Sequence, residues 1–263
     1  MGQAPSTPAA GRRELRVEDP DDEVAPRGLA LIAHGRFGSM DAPVVRSLAE
    51  YFRSERRLRV VTWDDSAVGG RGFQADFSVW VGDVAVDDYN ASGTLMLICD
   101  HHKRFLHQAM ATFKIDFPAV QNPELFICGH SAGAMSAGCA RPHPHLAPHF
   151  PTVRYILISY PVEANPVIGV FKSGSYFRSV EALVQGHGWE HLPAEFDGDE
   201  PGVKGVLAIT GSNDRGPFFG LWASTLAGKN SRGNLSQVVV EGANHTWDRM
   251  EWRLVGEIRD WLA

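Results

Sequence analysis

The chain has 263 residues, 44% hydrophobic and 21% charged, enough apolar material for one large core and too much for a chain disordered throughout. Its 25 basic and 31 acidic side chains give a formal charge of −6, so no overall field draws it to nucleic acid or to an anionic membrane, and a polyanion-binding role is not expected. Cys99, Cys128 and Cys139 form no CxxC pair, no run approaches the ~20 apolar residues of a membrane span, and the N-terminus lacks the apolar block of a secretory signal; the expectation is a cytoplasmic protein with no integral membrane segment.

Residues 1–27 combine Pro5, Pro8, Pro20 and Pro26 with a switch from Arg12, Arg13 and Arg16 to Glu18, Asp19, Asp21, Asp22 and Glu23. This composition reads as a flexible leader. Its first residues, MGQAPS, match the MGxxx[ST] pattern for N-myristoylation, so weak membrane association through an acylated Gly2 is a further expectation, conditional on a eukaryotic source.

From Gly28 onward, short runs rich in Val, Ile and Leu alternate with helical patterns. Strands are predicted at 28–33, 58–62, 124–128, 153–159, 205–210 and 236–240. Their nearly continuous apolar character suits parallel strands covered on both faces. Between the first two, Asp41 is placed to cap a helix whose Val44, Val45, Leu48 and Phe52 share one face. Residues 70–118 hold a glycine-rich turn, the aromatics Phe73, Phe77 and Trp80, and a helical region running through Phe113. Residues 163–204, punctuated by Pro166, Gly169, Gly174, Gly186 and Gly188, are long for a connection and read as a small lid. A final helix is predicted to carry Trp247, Met250, Leu254, Ile258 and Trp261 on one face. Repeated strand–helix–strand units over 28–263 predict a three-layer α/β/α sandwich with a mostly parallel sheet.

The sharpest signal is FICGHSAGA over 126–134. Here GxSxG follows a predicted strand and opens a small-residue helix, the context of a nucleophile elbow. Ser131 must sit on a tight, strained turn for its hydroxyl to stand clear of the sheet, and Gly129 and Gly133 remove side chains that would collide across it. An alcohol is a weak nucleophile near neutral pH and needs a base, which in turn needs a group fixing its tautomer. The run TGSNDR over 210–215 puts Asp214 after the fifth predicted strand, and VEGANHT over 240–246 puts His245 after the sixth. Open parallel sheets assemble their sites at these strand ends.

With these three motifs in order, residues 28–263 resemble the α/β-hydrolase superfamily, whose triad runs Ser, Asp or Glu, His along the chain. HGRFGSMD over 34–41 makes the chain most similar to small, short-lid members related to dienelactone hydrolases, although those usually carry His-Pro and a double Gly where this chain has His34-Gly35 and Gly38-Ser39. The resemblance implies Ser131 as nucleophile, His245 as general base and acid, and Asp214 as orienting carboxylate. Glu163, after the fourth predicted strand, occupies the other place where the superfamily puts its acid. The oxyanion hole would combine the N–H of Ala132 with one from the turn after the first strand, Arg36 or, second, Phe37. The Arg36 guanidinium would remain free to meet a substrate carboxylate or solvent.

Other clusters carry less. His143, His145 and His149 lie among prolines, and Asp100, His101, His102 and His107 lack metal-ligand spacing, so no metal is expected. Gly69-Gly70-Arg71-Gly72 has neither Walker nor Rossmann spacing. Phe218, Phe219 and Trp222 are candidates for an apolar acyl pocket or for packing. The expected function is that of a serine hydrolase acting without a cofactor on a small acyl substrate. An acyltransferase, a lyase or cyclase on the same residues, and a catalytically silent binding protein are the alternatives. Oligomeric state is not legible.

Overall fold

Apolar runs covered on both faces must pair laterally before helices can pack on them, and here they form one sheet. The computed structural model describes residues 14–21, 24–35, 39–64, 106–142, 146, 149–160, 173–185, 202–214, 230 and 234–263. The strands are β1 Glu14–Glu18, β2 Gly28–Ala33, β3 Arg59–Asp64, β4 Glu124–His130, β5 Thr152–Ile158, β6 Gly202–Gly211 and β7 Leu235–Val240. Their order is β1-β3-β2-β4-β5-β6-β7; β1 pairs with β3 antiparallel and every other pair is parallel.

Alternation within the strands splits the core in two. Leu29, Leu31, Leu125, Ile127, Val153, Tyr155 and Leu157 enter one cluster. Ala30, Ile32, Phe126, Cys128, Ile156 and Ile158 enter the other. This explains the long apolar runs of the central strands, since each face needs its own apolar set. Helices α1 (Pro43–Glu50) and α5 (Glu251–Leu262) cover the second face through Val44, Val45, Leu48, Leu254 and Ile258. Helix α2, over 106–116, with α3 (Ala132–Cys139) and α4 (Ser173–Val184), covers the first through Leu106, Met110, Phe113, Ala134 and Val180. The result is the three-layer α/β/α sandwich. Among the described residues, no helix is long and apolar enough to cross a membrane.

Three details differ from the sequence reading. The flexible leader expected over 1–27 contains β1, whose Glu-Leu-Arg-Val-Glu alternation suits an edge strand with Leu15 and Val17 half exposed. Asp19, just after it, is tied down: it accepts two hydrogen bonds from the largely buried guanidinium of Arg59, at 2.6 and 2.9 Å. Asp41 does not cap α1. Its carboxylate pairs with Arg16 at 2.9 Å, and the helix starts at Pro43, whose fixed φ suits a first turn that needs no N–H. Trp247 is fully buried but precedes α5, because its backbone takes φ 61°, outside the helical region.

Helix α4 lies within the segment 163–204. A parallel β5-to-β6 connection requires a crossover, and α4 supplies one, burying Val180, Leu183 and Val184 in the first core cluster. The remainder of that segment before β6, including Glu163, lies outside the described residues.

The chain runs from β2 outward to β3, then returns past β2 to β4. Loops leaving the C-terminal ends of β2 and β4 therefore diverge, opening a crevice at this switch point.

Candidate active site

Ser131 stands at the C-terminal end of β4, in that crevice, immediately before α3, to which its side chain makes no capping bond. Its φ of 55° and ψ of −122° lie where a residue with a Cβ rarely goes. Neighbouring glycines make this turn possible. A Cβ on Gly129 would sit 2.1 Å from the carbonyl oxygen of Gly133, and one on Gly133 would sit 2.5 Å from the carbonyl oxygens of both Ala33 and His34. The start of α3 is thus pressed against the end of β2. The N–H of Ser131 is held by the carbonyl of Ile158 on β5 at 2.9 Å, whereas Ala132 opens the helix, where N–H groups have no partner a turn earlier.

Ser131 Oγ lies 2.9 Å from Nε2 of His245, and Nδ1 of His245 lies 2.9 Å from Oδ1 of Asp214. Since a carboxylate only accepts, Nδ1 carries the proton and Nε2 receives the Ser131 hydroxyl. The three residues follow β4, β6 and β7, and the loops of the last two are stitched together. Ser212 N–H donates to the Val240 carbonyl at 2.9 Å, Asn213 N–H to that of Ala243 at 2.9 Å, and Gly242 N–H to Ser212 Oγ at 2.8 Å.

Electrostatics polarise this chain. The hydrogen bond and charge of Asp214 raise the His245 pKa above its ordinary value, against the opposing effect of burial. Burial pushes the Asp214 carboxyl up, but hydrogen bonds from His245 and Ser159 outweigh it, leaving its pKa below the usual range. The carboxylate is 12% exposed and the imidazole 44%. The carboxylate is thus enclosed and ionised, while the imidazole reaches solvent.

Two contributors escape the sequence patterns. His130, within the GxSxG motif, donates from Nε2 to the backbone carbonyl of His245 at 2.7 Å, its ring 5.3 Å from that of His245. Burial lowers its pKa to about 4, so it braces the His245 loop as a neutral ring. Ser159, at the end of β5, accepts a hydrogen bond from the indole N–H of Trp247 at 3.1 Å. Both had a faint signal: a histidine in a motif position usually treated as filler, and a serine ending an apolar strand.

The His130 shift has a consequence for stability. An unfolded histidine protonates near 6.5 and the folded one near 4, so the unfolded state binds more protons in that window and stability falls as pH falls through it. Asp214 loses its contribution only at lower pH, and that of His245, whose pKa is raised, is complete below 6.5. Urea unfolding of wild type and His130→Gln at pH 7 and pH 4 is therefore expected to differ by about 3 kcal/mol in the change between the two pH values. Parallel losses would contradict a neutral, buried His130.

Of the remaining sequence candidates, Arg36, Phe37, Phe218, Phe219, Trp222, Asp100, His101, His102, His143 and His145 lie outside the described residues. Gly35 precedes the turn predicted at Arg36 and Phe37, and a Cβ on it would lie 3.1 Å from Ser131 Cβ. His107 Nε2 donates to the Arg141 carbonyl at 3.1 Å, and His149 stands edge-on to Phe150. Among the described residues no group of 3 or more His, Cys, Asp or Glu side chains is placed to hold a metal.

No protein-family model matches the chain, and no curated protein matches it. Solved structures do. An α/β serine hydrolase without lid from Xanthomonas campestris is 18% identical, with a TM-score of 0.52 over 96% of this chain and 91% of that one. A dienelactone hydrolase from Anabaena variabilis is 14% identical, with a TM-score of 0.51 over 97% and 93%. Esterase 2 of Thermogutta terrifontis, in its form phosphoramylated by tabun, is 17% identical, with a TM-score of 0.56 over 95% and 88%. Strand order, crossovers and these likenesses agree: the chain has the α/β-hydrolase fold.

Proposed function

We propose that the chain is a serine hydrolase that cleaves a small ester, thioester or related acyl compound through an acyl-Ser131 intermediate. The observation carrying this reading is the pair of 2.9 Å contacts that links Ser131, His245 and Asp214 across three strand ends. In this mechanism Ser131 Oγ attacks the substrate carbonyl while His245 Nε2 takes its proton, and Asp214 stabilises the resulting imidazolium. The oxyanion is met by the N–H of Ala132 and by one from the turn at Arg36 or Phe37. His245 returns the proton to the leaving alcohol or thiol. A water molecule, deprotonated by the same Nε2, then attacks the acyl-serine and releases the acid and free Ser131.

The base works only when neutral, so its raised pKa sets the acid side of the profile. Plotted against pH, kcat/KM is expected to fall tenfold per unit below a midpoint above 6.5. A midpoint well below 6.5 would contradict the Asp214–His245 coupling.

The chemistry is tested by product analysis on a panel of p-nitrophenyl esters and acyl thioesters of increasing chain length, with and without added alcohol or amine acceptors. Release of free acid equal to the leaving group supports hydrolysis. Acyl groups found on the acceptor in preference to water would reassign the site to acyl transfer, and a folded protein that turns over no member would overturn both.

A further inference from the structure

The elbow carries a histidine to which the reaction scheme gives no part. In β4 the side chains of Phe126 and Cys128 enter the second core cluster, and the two-residue period of a strand puts His130, the last residue of β4, next in that row. The same cluster takes in Ala243 and Trp247 from the loop beyond β7, so the row ends against the loop that carries His245. His130 is 8% exposed. Its Nε2 lies 2.7 Å from the backbone carbonyl of His245, and the two rings are 5.3 Å apart. A carbonyl only accepts, so Nε2 carries the proton and Nδ1 keeps a lone pair. On the Nδ1 side stands Gly35, where a Cβ would lie 3.4 Å from that nitrogen. The ring is confined between the loop after β2 and the His245 loop.

The other bonds of the His245 loop have different effects. Asn244 Nδ2 and Thr246 Oγ1, on either side of His245, donate to Oδ2 of Asp248 at 3.0 and 2.7 Å, which sets the shape of the turn. Gly242 and Ala243 tie the turn to the acid loop through Ser212 and Asn213, and Trp247 ties it to the end of β5. The bond from His130 ties its backbone to the elbow. A closed circuit results: from Ser131 Oγ to His245 Nε2 at 2.9 Å, along His245 to its carbonyl, across 2.7 Å to His130, and through one peptide bond back to Ser131. Movement of the His245 backbone away from the elbow stretches both contacts at once.

We propose that His130 is a positioning residue: its Nε2–H, held one peptide bond from the nucleophile, fixes the distance between Ser131 and the general base. Proton transfer from an alcohol depends steeply on that distance, and a misplacement on the order of 1 Å costs up to about 10²-fold in rate. A donor supplied by the elbow itself keeps the base in register with the atom it must deprotonate. His130 takes no proton in this scheme and acts through His245. The proposal rests on the reading of Ser131, His245 and Asp214 as the catalytic set.

The test compares His130→Phe, which keeps a flat ring and removes the donor, with His130→Gln, whose amide N–H reaches about as far as Nε2. The readouts are kcat and KM for p-nitrophenyl esters and the second-order rate of Ser131 modification by a fluorophosphonate. His130→Phe is expected to lower kcat and the modification rate about tenfold, with KM changed less than about twofold. His130→Gln is expected to restore both rates to within about threefold of wild type. If the phenylalanine variant does not fold, His130→Asn, whose shorter amide stops short of the His245 carbonyl, is expected to show the same loss. Wild-type kcat in His130→Phe, a rise in KM alone, or an equal loss in His130→Gln would overturn the proposal while leaving the hydrolase reading intact. Absence of wild-type labelling at Ser131 would overturn the hydrolase reading and this one with it.

Discussion

Replacing Ser131 by alanine is expected to lower ester turnover on the order of 10⁶-fold, with thermal unfolding unchanged within a few degrees. The substitution keeps Cβ, so the elbow at φ 55° and its fit against Gly35 are undisturbed. What disappears is the atom 2.9 Å from His245 Nε2, and with it the covalent route. His245→Ala is expected to cost a similar factor, because a serine without its base is an ordinary alcohol. The two losses do not add: once either partner is gone, the residual rate is whatever binding and the oxyanion donors supply, so the double variant is expected to match the worse single one. Steady-state kinetics on the best ester, beside calorimetry, checks all three. Retention of more than a hundredth of the wild-type rate in Ser131→Ala would contradict the assignment.

The second large effect belongs to the acid. Asp214→Asn is expected to reduce kcat about 10⁴-fold at neutral pH, whereas Glu163→Gln changes it little. Asparagine nearly matches aspartate in shape, so the loop bonds through Ser212 and Asn213 persist. The amide, however, can turn an N–H toward His245 Nδ1. The imidazole then takes the other tautomer, with its proton on Nε2, where Ser131 needs an acceptor. The variant also loses the negative charge that raises the His245 pKa, so its residual activity is expected to have an acid midpoint below that of wild type. Near-normal turnover in Asp214→Asn would move the acid's role elsewhere, with Glu163 the first place to look.

How much of this was legible follows from the distances over which information acts. The central strands announce themselves because both faces of the sheet demand apolar residues, so 28–33 and 124–128 read as continuous runs. The elbow is legible because its constraint is local: Gly129, Ser131 and Gly133 meet one another within a single turn. Edge strand β1 was hidden by its own chemistry. An edge needs charges as well as apolar contacts, and Glu14, Arg16 and Glu18 made the segment look like part of a solvated leader. Asp41 looked like a cap because nothing in the sequence indicates that Arg16 comes to it from β1.

Trp247 illustrates the same limit from within a helix-like pattern. Its spacing to Met250 and Leu254 is helical, but the indole is drawn down to Ser159 from a backbone at φ 61°. Helix α4 was obscured by glycines that mark turns around it; only the need for a crossover between β5 and β6 explains its place. His130 and Ser159 gave only a faint signal because each bonds to a group far along the chain, the His245 carbonyl and the Trp247 indole. Motifs record which atoms react; the bracing around them depends on tertiary neighbours.

The central claim is that Ser131 is an activated nucleophile, and intact mass after reaction with a fluorophosphonate measures this most directly. Wild type is expected to gain one adduct, mapped by peptide analysis to Ser131, while Ser131→Ala and His245→Ala gain none over the same interval. A folded wild-type protein that stays unmodified, or an adduct that persists in Ser131→Ala, would contradict it.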